Sequence, residues 1–160
     1  MREHLFRGKR KKDDKWAVGG FHKWETRQPC PFNDELSLDE VKYLIIGNTN
    51  ADWNMPREIC ATEVDPETVG QYIGSVDKNK VRIFEGDILK AKVRCGRYYK
   101  NKIGCVVYDG LALQFVLKIQ SENGYDYKPI PFANYCEVIG NIYDNPELLE
   151  NSINTDSDEQ

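Results

Sequence analysis

Histidine is scarce in this sequence and cysteine is not clustered, which bears on metal and redox chemistry. The chain has two histidines and five cysteines, and no two cysteines form a C-x-x-C pair. A zinc site needs closely spaced cysteines, normally with histidine nearby. We therefore expect no metal site, and the odd cysteine count is typical of reduced thiols in the cytosol.

Long apolar runs are missing as well. No stretch of about 18 apolar residues occurs, so the sequence predicts no transmembrane helix. The N-terminus is charged and has no apolar segment of the signal-peptide type. We therefore expect a cytoplasmic protein without a membrane partner.

No P-loop, G-x-G-x-x-G, G-x-S-x-G or H-E-x-x-H motif occurs in the sequence. One carboxylate pair, Glu85 and Asp87, has the strand spacing that puts both side chains on one face, as an acid/base pair requires. The competing interpretation is a turn in which Asp87, after Gly86, accepts hydrogen bonds from nearby backbone N–H groups. We expect the turn, and a protein without enzymatic activity or cofactor.

Charge is distributed unevenly along a chain whose net charge is −4. Residues 1–27 hold nine Lys/Arg against four Asp/Glu, and residues 78–102 hold nine against two. Residues 137–160 hold seven Asp/Glu and no Lys or Arg. Such local asymmetry matters more for partners than the total charge does.

Hydrophobic alternation with a period of two recurs along the chain, and a helical period is hard to find. About ten short strands, with turn signals roughly every eight to twelve residues, are typical of sandwiches and small barrels. We predict a mainly β chain of two unequal lobes, with a hairpin-rich N-terminal lobe at 1–65. The C-terminal lobe, residues 66–150, is predicted to be an SH3-like barrel, and the acidic residues 151–160 a disordered tail.

Local signals predict turns and edges in the second lobe. Asp109-Gly110 predicts a tight hairpin whose second strand covers residues 111–119. Residues 96–101 are predicted to form a polar, aromatic loop. The proline-interrupted residues 125–132 are predicted to form an edge strand or a loop.

The best candidate for binding is a basic ladder on a predicted strand at residues 88–94. Cations at alternate positions project from one side, and the apolar residues between them face the other; the cations are Lys90, Lys92 and Arg94. Their steps of about 6.5–7 Å approach the phosphate repeat of an extended single strand. The predicted loop adds cations, and rings able to stack on unpaired bases, from Arg97, Tyr98, Tyr99, Lys100 and Lys102. We predict a binding module and take nucleic acid as the candidate ligand of this face. The competing interpretation is a solvated strand face with a tyrosine-capped loop.

A second hypothesis is an assembly protein, since the edges of small β lobes pair readily with another chain. An apolar patch for self-association or for a host protein is predicted around Pro129 and Pro131, from Tyr125, Tyr127, Ile130 and Phe132. The competing interpretation is that this segment packs over its own barrel. Nucleic-acid binding weakens steeply with salt, whereas assembly raises the mass above 18.5 kDa with little salt effect.

Four segments follow one another over residues 2–150. They are FRGKR at 6–10 with Trp16 and Gly19-Gly20, VDPETVGQYIG at 64–74, DKN at 77–79 with IFEGDI at 83–88, and CEVIGNIYDNPELL at 136–149. Together they resemble the YopX family of phage and prophage proteins. The chain departs from the family pattern at Lys80-Val81, where a glycine and then a lysine are usual.

The resemblance implies a mostly β fold with an SH3-like barrel, and an origin in a phage or an integrated element of a bacterial host. It implies no enzymatic activity, because the family's biochemical role is uncharacterised. No catalytic or binding residue is therefore carried over from it.

Overall fold

The computed structural model describes residues 3–32, 35–48, 58–121 and 124–150. The predicted acidic tail, residues 151–160, lies outside the described residues. The described chain is mainly β, as predicted, and its strands pair in antiparallel fashion. It divides into two compact units, Met1–Gln71 and Tyr72–Gln160. The sequence places the division at residue 65, and the contacts place it six residues later, inside a strand.

The first unit is built on a sheet of order β4-β3-β2-β1. Its strands are β1 (Phe6–Lys9), β2 (Trp16–Glu25), β3 (Val41–Asn48) and β4 (Ile59–Glu63). The first residues of β5 (Gly70–Val76) pair with β1. Short 3-10 turns at Leu38–Glu40 and Pro66–Thr68 join these strands, and the side chains of Ile45 and Val64 are buried.

The second unit contains a five-stranded sheet of order β10-β9-β8-β7-β11. The remainder of β5 pairs with β6 (Arg82–Phe84). The strands of the sheet are β7 (Asp87–Cys95), β8 (Tyr98–Asp109), β9 (Gln114–Ser121), β10 (Gly124–Pro129) and β11 (Cys136–Asn141). A 3-10 turn at Ala133–Tyr135 precedes β11, and a one-turn helix, α1 (Glu147–Glu150), follows it.

Alternation along β7 creates the core of the second unit. Leu89, Ala91 and Val93 are buried on one side of the strand, while the residues between them are exposed. The buried side chains pack with Val106 and Leu117 from the neighbouring strands. Because one side of β7 is fixed in this core, its other side is fixed towards solvent.

The prediction of a loop at residues 96–101 is wrong. Residues from Tyr98 onward belong to β8, which pairs with β7 from Cys95↔Tyr98 onward, and only Gly96 and Arg97 turn. Gly96 has φ 65°, which a two-residue hairpin turn can require at its first central position. Glycine supplies this backbone conformation without strain, so the polar composition of the segment does not prevent pairing.

The hairpin after Asp109 is confirmed, but its turn is longer than predicted. β8 ends at Asp109 and β9 begins at Gln114, where the sequence predicts a start at residue 111. The Oδ1 atom of Asp109 accepts the backbone N–H groups of Leu111 at 2.9 Å and Ala112 at 3.2 Å. This side chain stabilises a four-residue turn in place of the tight one.

Closure of the second unit into a barrel is not observed among the described residues. β10 and β11 are the two ends of the strand order and do not pair with each other. The coarser prediction of a mainly β chain is therefore confirmed, whereas the sheets described here are open. Within the same ranges, no helix has the length and apolar character needed to cross a bilayer.

Candidate nucleic-acid interface

The basic ladder, Lys90, Lys92 and Arg94, lies on the exposed side of β7 as predicted. All three residues are exposed, and each alternates with a buried apolar neighbour. Successive ladder residues are two positions apart on a strand, which spaces them by about 6.5–7 Å. The ladder is thus held by a buried strand rather than by a loop.

Strand β8 supplies the next row of the same face. Lys92 is opposite Asn101 and Arg94 is opposite Tyr99 in the antiparallel register. Directly opposed residues of an antiparallel pair share a face, so the Tyr99 ring lies beside the ladder. Tyr99 is 63% exposed, which leaves its ring open to a ligand.

The same register divides the residues predicted for the site. Tyr98, Lys100 and Lys102 are opposite Cys95, Val93 and Ala91, so they lie on the other face of the hairpin. Arg97 lies in the turn. The structure therefore brings Tyr99 to the ladder and takes three of the predicted residues away from it. In a loop, all the predicted side chains could converge on one site. In a paired strand, successive side chains point to opposite faces, so only some of them reach the ladder.

Strand β11 brings a carboxylate to the other end of the ladder. Glu137 is opposite Lys90, and its carboxylate accepts a hydrogen bond from Lys78 Nζ at 2.7 Å. The Lys78 hydrogen bond lowers the pKa of Glu137, so this carboxylate stays charged well into acid. The negative charge of Glu137 thus lies beside Lys90 of the ladder and is bound to Lys78, which is outside the ladder.

A shallow groove of about 360 Å³ lies along this face, and we call it the basic groove. Its lining residues are Lys78, Lys90, Lys92, Asn101, Asn134, Tyr135, Cys136 and Glu137. Of these residues, the sequence predicts only Lys90 and Lys92 for the site and misses the other six. The alternation along β8 would predict Asn101 once its segment is known to be a strand. The other five come from the turn at Lys78 and from residues 134–137, and they have no local signal.

Lys90 and Lys92 have no hydrogen bond or ion pair to any residue that the structure describes. Arg94 differs, because its Nε donates to the Gly96 carbonyl oxygen at 3.1 Å. Unpaired ammonium groups on a rigid strand can contact an anion without first breaking a bond within the protein. The ammonium groups of Lys90 and Lys92 are consequently exposed to an anion without a competing bond to a described residue.

Asp77 fixes the turn that carries Lys78. Its Oδ1 accepts the N–H groups of Asn79 at 2.8 Å and Val81 at 2.9 Å, and its Oδ2 accepts that of Val138 at 3.0 Å. Burial by itself would raise the pKa of Asp77, but these backbone hydrogen bonds outweigh it and lower the pKa. The buried carboxylate therefore joins the turn to β11 and positions one side of the basic groove.

The Cys136 thiol and the Asp87 carboxylate are both buried in the second unit. Burial raises the pKa of the Cys136 thiol, which stays protonated at neutral pH. Asp87 is 1% exposed and its Oδ2 accepts the Phe84 N–H at 2.7 Å, which confirms the turn interpretation. Across the described ranges, no three His, Cys, Asp or Glu side chains are grouped to hold a metal ion.

The aromatic segment behind the assembly hypothesis is only partly packed. Ile130 packs against the core of the second unit, as the competing interpretation requires. Tyr125 and Tyr127 are 57% and 55% exposed, and Phe132 is 86% exposed. The edge position predicted for this segment is confirmed, because β10 ends the strand order.

Comparison with known proteins adds three findings. A crystal structure of protein EF1440 from Enterococcus faecalis is similar at 20% sequence identity and a TM-score of 0.49, over 93% of this chain and 99% of that one. No curated protein matches the sequence. The family model described as YopX protein matches residues 5–150. This match covers nearly all of the sequence, and the chain belongs to the YopX protein family.

Proposed function

We propose that this chain is a non-enzymatic binding module that holds single-stranded nucleic acid along the basic ladder. One observation carries the proposal: Lys90, Lys92 and Arg94 project from one side of a strand whose other side is buried in the core. Cations fixed in a row at about 6.5–7 Å can contact successive phosphates of an extended strand. The backbone that carries these cations is already ordered in a strand, so binding has to order only their side chains.

Exposed rings beside the ladder favour a single strand over a duplex. Tyr99 lies next to Arg94, and Tyr135, 56% exposed, lines the basic groove with Lys90 and Lys92. Stacking of an unpaired base on such a ring contributes about 1–3 kcal/mol. A duplex keeps the faces of its bases in its own stack, so it gains only the phosphate contacts.

The electrostatics of the groove are compatible with a polyanion despite the acidic total. Glu137, the one carboxylate among the described residues that line the groove, is bound to Lys78, so the repulsion of a phosphate is partly cancelled at close range. The net charge of −4 acts over longer distances, where physiological salt screens it. Local charge therefore decides binding at the groove.

The proposal is tested by fluorescence anisotropy with labelled single-stranded and double-stranded DNA at several salt concentrations. Three phosphate contacts predict a slope of about −2 in log affinity against log salt, or roughly twentyfold weaker binding for a fourfold rise in salt. We expect the single strand to bind more tightly. Absence of binding at low salt would overturn the proposal, and preference for the duplex would overturn the role of the rings.

Three finer features are part of the same proposal. We infer that the chain derives from a phage or an integrated element and acts in the cytoplasm of a bacterial host, and family membership is the support. We also propose that the second unit is related to SH3-like barrels. The support is its five antiparallel strands, joined in sequence with only the last one crossing to the far edge.

A further inference from the structure

The two edges of the five-stranded sheet differ in what covers them. At β11, the Cys136 carbonyl accepts the Lys78 N–H at 3.1 Å and the Val138 N–H donates to Asp77, so the outer side is occupied. At β10, residues pair with β9 along the strand, and no described residue bonds to its outer side. β10 therefore presents unpaired backbone N–H and C=O groups at an exposed edge.

The side chains of β10 alternate between aromatic and charged. Tyr125 and Tyr127 share one face and are each more than half exposed. Asp126 and Lys128 share the other face, and neither has an ion pair with any residue in the described ranges. An acid and a base at positions i and i+2 of an open edge form a self-complementary pattern.

We propose that β10 binds the β10 strand of a second copy of this chain, in antiparallel fashion, about a two-fold axis at Tyr127. In this register Asp126 is opposite the partner's Lys128, and Lys128 is opposite the partner's Asp126. The contact is isologous, so each attraction occurs twice. The two copies of Tyr127 are opposite each other on the aromatic face, where ring contacts add to the pairing.

The charges select this register over its neighbours. An axis at Asp126 would place two aspartates directly opposite each other, and an axis at Lys128 would place two lysines there. Like charges directly opposite are destabilising. A shift of the register by one residue would set the aromatic face of one β10 strand beside the charged face of the other. The core side of one copy's sheet would then be continuous with the solvent side of the other copy's sheet.

The same geometry predicts that the assembly stops at two copies. An isologous contact uses both β10 edges, and the opposite edge of each sheet, β11, is occupied by the turn at Asp77 and Lys78. Pro129 has no N–H to donate and limits the pairing to the length of β10. The inference does not depend on nucleic-acid binding, because β10 contributes no residue to the basic groove.

Sedimentation velocity over a concentration series tests the proposal. We expect the mass to rise from 18.5 kDa towards twice that value. Asp126→Lys and Lys128→Asp should each weaken dimerisation by about tenfold or more, since each turns two attractive pairs into repulsive ones. An equimolar mixture of the two variants should form dimers again, because one copy then presents two lysines and the other two aspartates.

Lys12→Asp is the matched control, with the same charge change as Lys128→Asp. Lys12 is exposed in a turn of the first unit and has no bonding partner in the described chain. This variant should dimerise like the unaltered protein, and circular dichroism should show that all variants are folded. The proposal is overturned by a mass of 18.5 kDa at every concentration, by dimers that the reversals leave intact, or by a mixture that stays monomeric.

Discussion

Two basic regions of this chain, with the same number of cations, use their charges differently once folded. In the first unit, several cations bind carboxylates of that unit. Arg10 pairs with Asp13 at 2.7 Å, and Lys11 pairs with Glu63 at 2.8 Å. The Lys11 hydrogen bond lowers the pKa of Glu63, and the Glu63 bond raises the pKa of Lys11. These cations contribute to the surface of their own unit.

In the second unit, two carboxylates bind backbone groups, and two lysines remain without a described partner. Buried carboxylates, Asp77 and Asp87, accept the hydrogen bonds that fix turns, while Lys90 and Lys92 have no partner among the described residues. Both regions are basic in sequence, but in the second region two cations without a described partner lie two positions apart on the exposed side of one strand. A count of charges therefore predicts where cations are and not which of them can bind.

Removing the basic ladder should have the largest effect. The variant with Lys90, Lys92 and Arg94 changed to alanine should lose about a hundredfold or more in affinity for single-stranded DNA at low salt, and its salt dependence should nearly vanish. All three side chains are exposed, so the fold should be unaffected. Anisotropy titrations and a thermal unfolding curve measure the two effects.

The matched control changes Arg10, Lys11 and Lys23 of the first unit to alanine. Like the ladder variant, it removes three positive charges from a chain whose net charge is −4. Each of these three cations is already paired with a carboxylate. We expect a change in affinity of less than about twofold. Equal losses in the two triple variants would show that total charge, and not the ladder, controls binding.

The buried carboxylate of the second unit should dominate stability. Asp77→Ala leaves three backbone N–H groups without their charged acceptor and should lower the free energy of unfolding by about 3 kcal/mol. Asp65 of the first unit is exposed, and its side chain accepts the Glu67 N–H at 3.1 Å, so Asp65→Ala should cost about 1 kcal/mol. Urea unfolding measures the free energy of unfolding of both variants. Equal losses would contradict the larger structural role that we assign to the buried Asp77.

The stability that Asp77 contributes should depend on pH. Its pKa is lowered from the ordinary 3.8, so the folded state binds fewer protons than the unfolded state in acid. The contribution is complete above 3.8 and is lost as pH falls through the lowered folded pKa. Asp77→Asn should be less stable at neutral pH, and its stability should fall less steeply below about pH 4. Parallel pH profiles for the two proteins would exclude this carboxylate as a source of the acid sensitivity.

The ladder could be predicted because buried and charged residues alternate visibly along residues 89–94. The pairing of Tyr98 with Cys95 could not, since a polar, aromatic segment resembles a loop until Gly96 closes a turn against β7. That error placed Lys100 and Lys102 in the site, although pairing puts them on the other face. Tyr135 reaches the groove only because β11 pairs with β7, a long-range contact without a local signal.

A smaller effect distinguishes the lysine–glutamate pairs of the two units. Glu137→Gln removes the carboxylate of the basic groove and releases Lys78, so affinity for single-stranded DNA should rise about two- to fivefold. Glu63→Gln releases Lys11 in the first unit in the same way and should leave affinity unchanged. Anisotropy at low salt compares the two, and an equal rise in both would mean that either basic region binds.

The smallest effect concerns a strained turn in each unit. Lys80 has φ 65° and Asp14 has φ 54°, and aspartate tolerates this left-handed conformation better than lysine does. Lys80→Gly should therefore raise the free energy of unfolding by about 0.5–1 kcal/mol, and Asp14→Gly by less. Denaturant unfolding provides the measurement, and no gain at Lys80 would show that the surrounding turn already relieves the strain.

Measuring DNA affinity on the same Lys80→Gly protein extends the comparison. Lys80 places a cation two residues from Lys78 of the basic groove. A gain in stability with a loss of affinity would mean that the charge of Lys80 contributes to binding, despite the strained backbone. A gain in stability with unchanged affinity would show that Lys80 makes no phosphate contact, as expected if the ladder makes the phosphate contacts.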